Sequence, residues 1–237
     1  VNGDILSIGV VGTSSSSAGL QVYNISSSSW ISGSLLAGLP SDNIQDGVIH
    51  SGKIWFATDN GVGIWNISTQ EWENALTVLN GLPTPIIDEI YVYNSPSGVS
   101  ELWMATPVGL VRYNPATSTF SPTIDRLDGL VGNRVNHVVE DGGNLFLSHN
   151  GAGMTRPGAN SLNLSTLLVE ETYRLDQLPS NSIFSMAADA WGIHIATDRD
   201  PMTHWNAATN QFEDGTSSWQ FGAWPPKDMV SDGSNLF

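Results

Sequence analysis

The sequence predicts an all-β fold built from a repeated four-stranded unit, and three features carry that prediction. Short runs rich in β-branched and aromatic residues alternate with Gly, Asn and Asp, as in strands joined by tight hairpins. One hairpin sequence recurs at intervals of 43 to 48 residues, starting at Ile54, Leu102, Leu145 and Ile193. A linker of the Gly-Leu-Pro type precedes the first strand of the repeat. Four-stranded repeats of about 40–50 residues are typical of β-propeller blades, because stacked sheets cover each other's faces.

The clearest repeat contains one candidate for each strand. Residues 44–50, 54–58 and 62–65 are apolar runs, and a fourth run begins at Glu71-Trp72. Ser51-Gly52 and Asp59-Asn60-Gly61 separate the first three runs and supply residues that tolerate positive φ. The repeat therefore predicts a four-stranded antiparallel meander.

The chain contains about five such repeats, which we assign to a single propeller domain over residues 1–237. The predicted blades are 1–40, which lacks its first strand, 41–83, 84–130, 131–178 and 179–225. Residues 226–237 are either the start of another blade or a closing strand. Two architectures stay open, a five-bladed ring and a part of a larger ring, for example of seven blades. A further possibility is that the natural chain continues into more blades or domains.

The repeat that starts at Val131 departs most from the pattern. Ser148-His149 stand where Ala-Thr stands in other repeats. Arg156-Pro157 replace the aromatic-Asn pair that closes the third strand elsewhere. The alignment thus ends the third strand of this blade at Pro157.

The order of motifs within each repeat also carries a family resemblance. Gly-Leu-Pro, a short apolar strand and an Asp-Gly or Gly-Asn turn lead into Leu/Ile-Trp-x-Ala-Thr-x-x-Gly-Val/Leu and an aromatic-Asn pair, most clearly from Gly38 to Asn114. This pattern resembles the two-component regulator propeller repeat. The resemblance implies a periplasmic or extracellular sensor propeller attached to signalling or adhesive modules. It says little about a ligand, since one scaffold carries many functions.

Composition excludes several classes of partner. The chain has 23 acidic and 8 basic residues, which gives a formal charge of −15. Nucleic-acid binding requires a basic surface, and anionic membranes repel an acidic one, so neither partner is expected. No apolar run reaches the roughly 20 residues needed to cross a bilayer, so no membrane insertion is predicted. The chain has no cysteine, which excludes thiol catalysis, disulfides and thiolate metal sites.

No motif of an enzyme, a cofactor site or a metal site is recognisable. The histidines lack the spacing of a helical zinc site, and the Asp-Gly turns do not extend into a calcium loop. The pairs Glu170-Glu171 and Asp125-Asp128 fall on outer or connecting segments, where we expect solvated side chains. We therefore predict no catalytic residues, no cofactor and no bound metal. His194 replaces a tryptophan of other repeats and is predicted to be a packed side chain.

Blade geometry places a candidate ligand site. In propellers, the loops that enter first strands and those that join second to third strands gather on one face. Their polar side chains form a candidate rim suited to a saccharide, a peptide or another protein. The candidate rim comprises Asp42, Asn43, Asp59, Asn60, Arg134, His149, Asn150, Asn181, Asp198, Arg199 and Asp200.

Three Asn-x-Ser sequences are candidate glycosylation sites in an exported protein, at Asn24, Asn66 and Asn163. An Asx turn between the third and fourth strands explains the first two equally well, because Asn114 and Asn206 occupy the same turn without the sequon. Both interpretations stay open.

These observations favour a non-enzymatic, extracellular or periplasmic recognition propeller that acts as a sensor or adhesion module of a larger protein. One alternative is a propeller enzyme acting on polysaccharide, which requires carboxylates within about 5–10 Å of each other. Another is a structural subunit of a surface layer or filament.

Overall fold

The computed structural model describes residues 5–10, 19–25, 27–31, 38–149, 158–173, 178, 182–197, 203–206, 209, 211–214, 229 and 231. The chain divides into two compact units. Unit 1 comprises Val1–Pro107 and Val111–Pro122, and unit 2 comprises Val108–Leu110 and Thr123–Phe237.

Unit 1 contains three antiparallel sheets, and within each sheet neighbours in space are neighbours in sequence. The first sheet has three strands and the other two have four. The first two residues of the tenth strand, Gly109 and Leu110, are assigned to unit 2, and the rest of that strand belongs to unit 1. The strands are β1 (Ile5–Val10), β2 (Gly19–Asn24), β3 (Ser29–Ile31), β4 (Ile44–His50), β5 (Lys53–Thr58), β6 (Gly61–Asn66), β7 (Glu71–Trp72), β8 (Glu89–Asn94), β9 (Ser100–Thr106), β10 (Gly109–Asn114) and β11 (Thr119–Phe120).

Unit 2 contains two further four-stranded meanders. Their strands are β12 (His137–Asp141), β13 (Asn144–His149), β14 (Gly158–Asn163), β15 (Val169–Tyr173), β16 (Ile183–Asp189), β17 (Gly192–Thr197), β18 (Thr203–Asn206) and β19 (Gln211–Asp214). Among the described residues, no helix is long and apolar enough to cross a membrane.

The sheets confirm the predicted four-stranded meander and correct two details. The prediction of about five blades was too high, because within the described residues four sheets are complete and the first sheet has three strands. In the part of the chain that the structure describes, that sheet lacks a first strand, which matches the repeat pattern. The third strand of the blade that starts at Val131 was placed wrongly, because β14 runs from Gly158 to Asn163 rather than ending at Pro157.

The middle strands are buried on both faces, which explains why the blades are stacked. Five of the six residues of β5 are buried, and successive side chains point in opposite directions. Trp55 belongs to a cluster that includes Tyr113 of the following sheet, with ring centroids 6.0 Å apart. Phe56 belongs to a second cluster with Val22 of the preceding sheet. A single meander could not cover both faces of such a strand.

First strands of successive sheets lie beside each other within each unit. β8 packs against β4, and the backbone N–H of Ile90 donates to Asp46 Oδ2 at 2.9 Å. In unit 2, β16 packs against β12. The backbone N–H of Met229 donates to Ser185 Oγ at 2.9 Å, and Ser185 is the third residue of its strand, as Asp46 is. In both units, therefore, the side chain of the third residue of a first strand accepts a hydrogen bond from the backbone N–H of a later residue.

The glycine of the linker has a specific conformational role. The linker before β8 contains a 3-10 turn, Val78–Asn80, which is capped by Thr77 and ends at Gly81 with φ of 97°. The linker before β12 repeats the arrangement with Arg126–Asp128, capped by Asp125, and ends at Gly129 with φ of 109°. A left-handed residue at the end of the turn redirects the chain into the next first strand, and glycine adopts that conformation without steric cost.

Candidate functional site

The part of the candidate rim in unit 1 is a cluster of hydrogen-bonded side chains. The turn after β5 carries Asp59 and Asn60, and the segment before β4 carries Asp42 and Asn43. Asn43 Nδ2 donates to Asp59 Oδ2 at 3.0 Å, and Asn60 Nδ2 donates to the carbonyl oxygen of Pro40 at 2.9 Å. The two loops are therefore joined, whereas Asp42 is exposed to solvent.

Asp59 is held in its ionised form. Hydrogen bonds from Ser41 and then Asn43 lower the pKa of Asp59, while partial desolvation opposes them. At neutral pH this side chain is a carboxylate that accepts hydrogen bonds. This protonation state suits a ligand with N–H or O–H donors and does not suit a general acid.

The part of the candidate rim in unit 2 contains Arg134 and His149, which are also in contact. His149 is fully buried at the end of β13, and its Nδ1–H donates to the carbonyl oxygen of Arg134 at 2.9 Å. Burial lowers the pKa of His149 to about 4, although contacts with Arg134, Asn160 and Gly132 oppose the effect. His149 is therefore neutral at pH 7, and its complete burial gives it a packing role at the base of this loop.

The equivalent position in another blade shows what His149 replaces. Thr58 ends β5, and its hydroxyl donates to the carbonyl oxygen of Gly61 at 2.7 Å, which closes the turn. The loop after β13 is longer than the turn after β5, since β14 begins only at Gly158. The remaining candidate rim residues, Asn150, Asn181, Asp198, Arg199 and Asp200, lie outside the described residues.

All three candidate glycosylation residues accept a backbone N–H from the turn that follows, and Asn66 and Asn163 form Asx turns. Asn24 Oδ1 accepts from the Ser27 N–H at 2.9 Å, Asn66 Oδ1 accepts from the Ser68 N–H at 3.0 Å, and Asn163 Oδ1 accepts from the Ser165 N–H at 2.9 Å. The amide nitrogens of Asn66 and Asn163 also donate to glutamates in the following segment or strand, at 3.2 Å and 3.0 Å. Asparagine therefore has a structural role at this turn, and glycosylation stays a prediction.

One of the two carboxylate pairs lies in a linker and the other lies on a strand. Asp125 caps the 3-10 turn before β12, and Asp128 accepts from the Asp125 N–H at 3.0 Å. Glu170 and Glu171 lie on β15 and are exposed. Within the described ranges, no group of three His, Asp or Glu side chains is arranged to hold a metal ion.

His194 is buried, as predicted, and has an acidic neighbour. Its Nε2 lies 3.0 Å from Asp189 Oδ2, and its ring centroid lies 5.0 Å from that of His204 on β18. Burial is the largest influence and lowers the pKa of His194, whereas Asp189 raises it. The side chain thus fills the position that tryptophan has in other blades.

A cleft that the sequence did not predict lies in unit 1, between the β4–β7 and β8–β11 sheets. Two cavities of about 590 and 410 Å³ share Lys53, Trp55 and Pro115 in their walls. We call these two neighbouring cavities together the junction cleft. Its walls also include Ile64, Trp72, Glu73, Asn74, Tyr113, Ser118 and Phe120.

Unit 2 contains a cavity of about 580 Å³ at the equivalent place between its two sheets. Its aromatic wall residues are Phe146, Tyr173 and Trp205, each less than about 5% exposed. A repeated aromatic residue at the second position after the start of β5 and β13 is the sequence signal for these cavities. The signal is weak, because the same residues are expected in a packed core.

Comparisons with known proteins show a shared fold. No family model matches the sequence, and no curated protein matches it. The extracellular domain of the one-component system BT4673 from B. thetaiotaomicron superposes with a TM-score of 0.71 over 100% of this chain, at 17% identity. The extracellular domain of the hybrid two-component system BT3049 from the same organism gives 0.60 over 82%, at 18% identity.

A third similar structure is PorZ, a surface component of the type-IX secretion system of Porphyromonas gingivalis, with a TM-score of 0.59 over 98% of this chain and 15% identity. The chain spans 30%, 28% and 34% of these three chains, which is about a third of their length. At such identities the likeness establishes the fold. The chain has the β fold of these bacterial extracellular domains and of this surface component, which agrees with its resemblance to two-component regulator propeller repeats.

Proposed function

We propose that the chain is a non-enzymatic recognition module of an extracellular or periplasmic sensor. The observation that carries the proposal is the likeness over the full chain to the extracellular domain of BT4673. The share of that chain which it covers, 30%, supports a module of a larger protein. The ligand classes that fit the candidate rim are a saccharide, a peptide and a protein partner.

The chemistry of the candidate rim supports binding. Asp59 is an ionised acceptor and Asp42 is exposed beside it. Asn43 and Asn60 hold the two loops together, so the acceptors keep their positions when a ligand arrives. Preorganised polar groups of this kind favour recognition because little conformational entropy is lost on binding.

The test is a screen of the purified chain against glycan and peptide arrays, with hydrolysis products and solution mass followed in parallel. We expect specific binding without turnover, and we expect Asp42→Lys to weaken it. Glu71→Lys is the matched control, because Glu71 is an equally exposed carboxylate on β7, away from the candidate rim. Turnover of a polysaccharide would favour the enzyme alternative. Self-assembly without binding would favour a structural subunit.

A further inference from the structure

We propose that the junction cleft is a second binding site and that its ligand is a neutral saccharide. The site goes beyond the proposed function because it is separate from the candidate rim. Lys53, in the wall of the cleft, is the first residue of β5, whereas Asp59 follows the last. A strand of six residues separates its two ends by about 20 Å.

The cleft has the size of a ligand site. Its two neighbouring cavities measure about 590 and 410 Å³. Small-molecule sites typically occupy about 300–1,000 Å³ and combine apolar walls with a few fixed polar groups. The junction cleft meets both conditions within one unit of the fold.

The aromatic walls present ring surface that is held in place. Phe120 is only half-buried and lies in the wall of the cleft, whereas the ring of Trp72 packs against Phe56 on the side of the preceding sheet. Phe120 packs against Tyr113 with ring centroids 4.8 Å apart. Fixed aromatic surface suits the C–H face of a pyranose ring, which is apolar.

The polar walls supply a donor and an acceptor side by side. Lys53 Nζ lies 2.7 Å from Glu73 Oε2, and Asn66 Nδ2 donates to Glu73 Oε1 at 3.2 Å. The hydrogen bond from Lys53 is the largest of the effects that lower the pKa of Glu73, so this carboxyl is ionised at neutral pH. An ammonium and a carboxylate in contact match adjacent hydroxyl groups, each of which both donates and accepts.

The charges of the cleft favour a neutral ligand. Lys53 and Glu73 compensate each other, whereas the chain as a whole carries −15 and repels anions. The cavity of unit 2 differs, because Asn144 begins β13 where Lys53 begins β5, and its walls carry Asp141, Glu170 and Glu171. Among its described wall residues none is Lys or Arg, so that cavity lacks the compensated pair.

The experiment titrates the whole chain with maltohexaose, cellohexaose, xylohexaose and mannohexaose, using calorimetry and amide chemical shifts. We expect at least one of these neutral oligosaccharides to bind. Glu73→Gln should weaken binding by about tenfold or more, the usual effect of removing a charged hydrogen-bond partner. Ser118→Arg, which fills the cleft from an exposed turn, should abolish it. A carboxymethylated form of the same sugar should bind more weakly.

Two controls separate this site from the candidate rim. Asn144→Lys, in the cavity of unit 2, should leave oligosaccharide binding unchanged. Asp42→Lys should weaken only binding that takes place at the candidate rim, and thermal unfolding should show that every variant is folded. If Asp42→Lys weakens oligosaccharide binding while Glu73→Gln and Ser118→Arg leave it intact, the sugar binds at the candidate rim. That result would overturn the proposal that the junction cleft is a binding site. If none of the four oligosaccharides binds at millimolar concentration, the inference is also overturned. The proposal that the candidate rim binds a peptide or a protein would not be affected by that result.

Discussion

Replacing His149 by threonine should make the stability of the protein less sensitive to acid. His149 is fully buried, and burial lowers its pKa to about 4 from an ordinary value of 6.5. Between these two values the unfolded chain binds a proton that the folded chain excludes. Protonation of His149 therefore does not reduce the free energy of unfolding above pH 6.5, and it lowers this free energy progressively as the pH falls towards 4.

The magnitude follows from the difference in pKa. Each pKa unit corresponds to about 1.4 kcal/mol, so His149 should cost the folded state about 3 kcal/mol between pH 6.5 and 4. Threonine is the residue at the equivalent position of other blades, as at Thr58, and it does not titrate. The variant will lose packing at every pH, so the informative quantity is the slope of stability against pH.

The assay is urea unfolding of both proteins at intervals from pH 7.5 to 4.5. His50 and His194 also have a pKa lowered by burial, and they contribute equally to both proteins. The wild-type free energy of unfolding should fall more steeply than that of the variant. Parallel slopes, or a His149 ring that titrates near pH 6.5 by NMR, would refute the reasoning.

Two further substitutions test the backbone and the core by denaturant unfolding. Gly61→Ala should cost about 2–3 kcal/mol, because Gly61 has φ of 116° and a Cβ atom there would lie 2.3 Å from the carbonyl oxygen of Leu76. Gly98→Ala is its control and should cost about 1 kcal/mol, since Gly98 has φ of 83° and open space around it. Phe56→Ala should cost about 3–5 kcal/mol, because Phe56 is 2% exposed between two sheets. Leu127→Ala, at 95% exposure, should change stability by less than about 0.5 kcal/mol, and equal losses for Phe56 and Leu127 would contradict the two-sided core.

The local sequence pattern was sufficient to predict the strands and hairpins of a blade that keeps the repeat motif. In the β4–β7 sheet, apolar runs and glycine turns coincide with strands and hairpins, because each run packs in the environment that its residue types favour. In the blade that starts at Val131, Gly151-Ala152-Gly153-Met154 imitates the start of a third strand. The true strand, β14, contains Asn160 and Ser161 and lacks the expected aromatic residue.

Tertiary contacts explain why such a polar strand is buried. Asn160 is fully buried, and its Oδ1 accepts from the Val131 N–H at 2.8 Å. Its Nδ2 donates to the Glu171 carbonyl oxygen at 3.0 Å and to Thr172 Oγ1 at 2.8 Å. A buried amide costs little when its hydrogen bonds are made, but no pattern in the sequence shows these partners. The junction cleft was missed for the same reason, since it depends on how two sheets face each other.

The two-sided burial of the middle strands has a consequence for how such a chain can lengthen in evolution. One set of side chains, such as Phe56, fits the sheet before it, and the alternate set, such as Trp55, fits the sheet after it. A duplicated blade carries both sets together, so the copy can be inserted beside its parent with matching surfaces already present. A duplicated strand also carries both sets, but one strand is too narrow to cover the faces of the sheets on its two sides. Growth by whole blades is therefore the route that keeps every new sheet covered, which explains why the repeat in this sequence is a complete four-stranded unit.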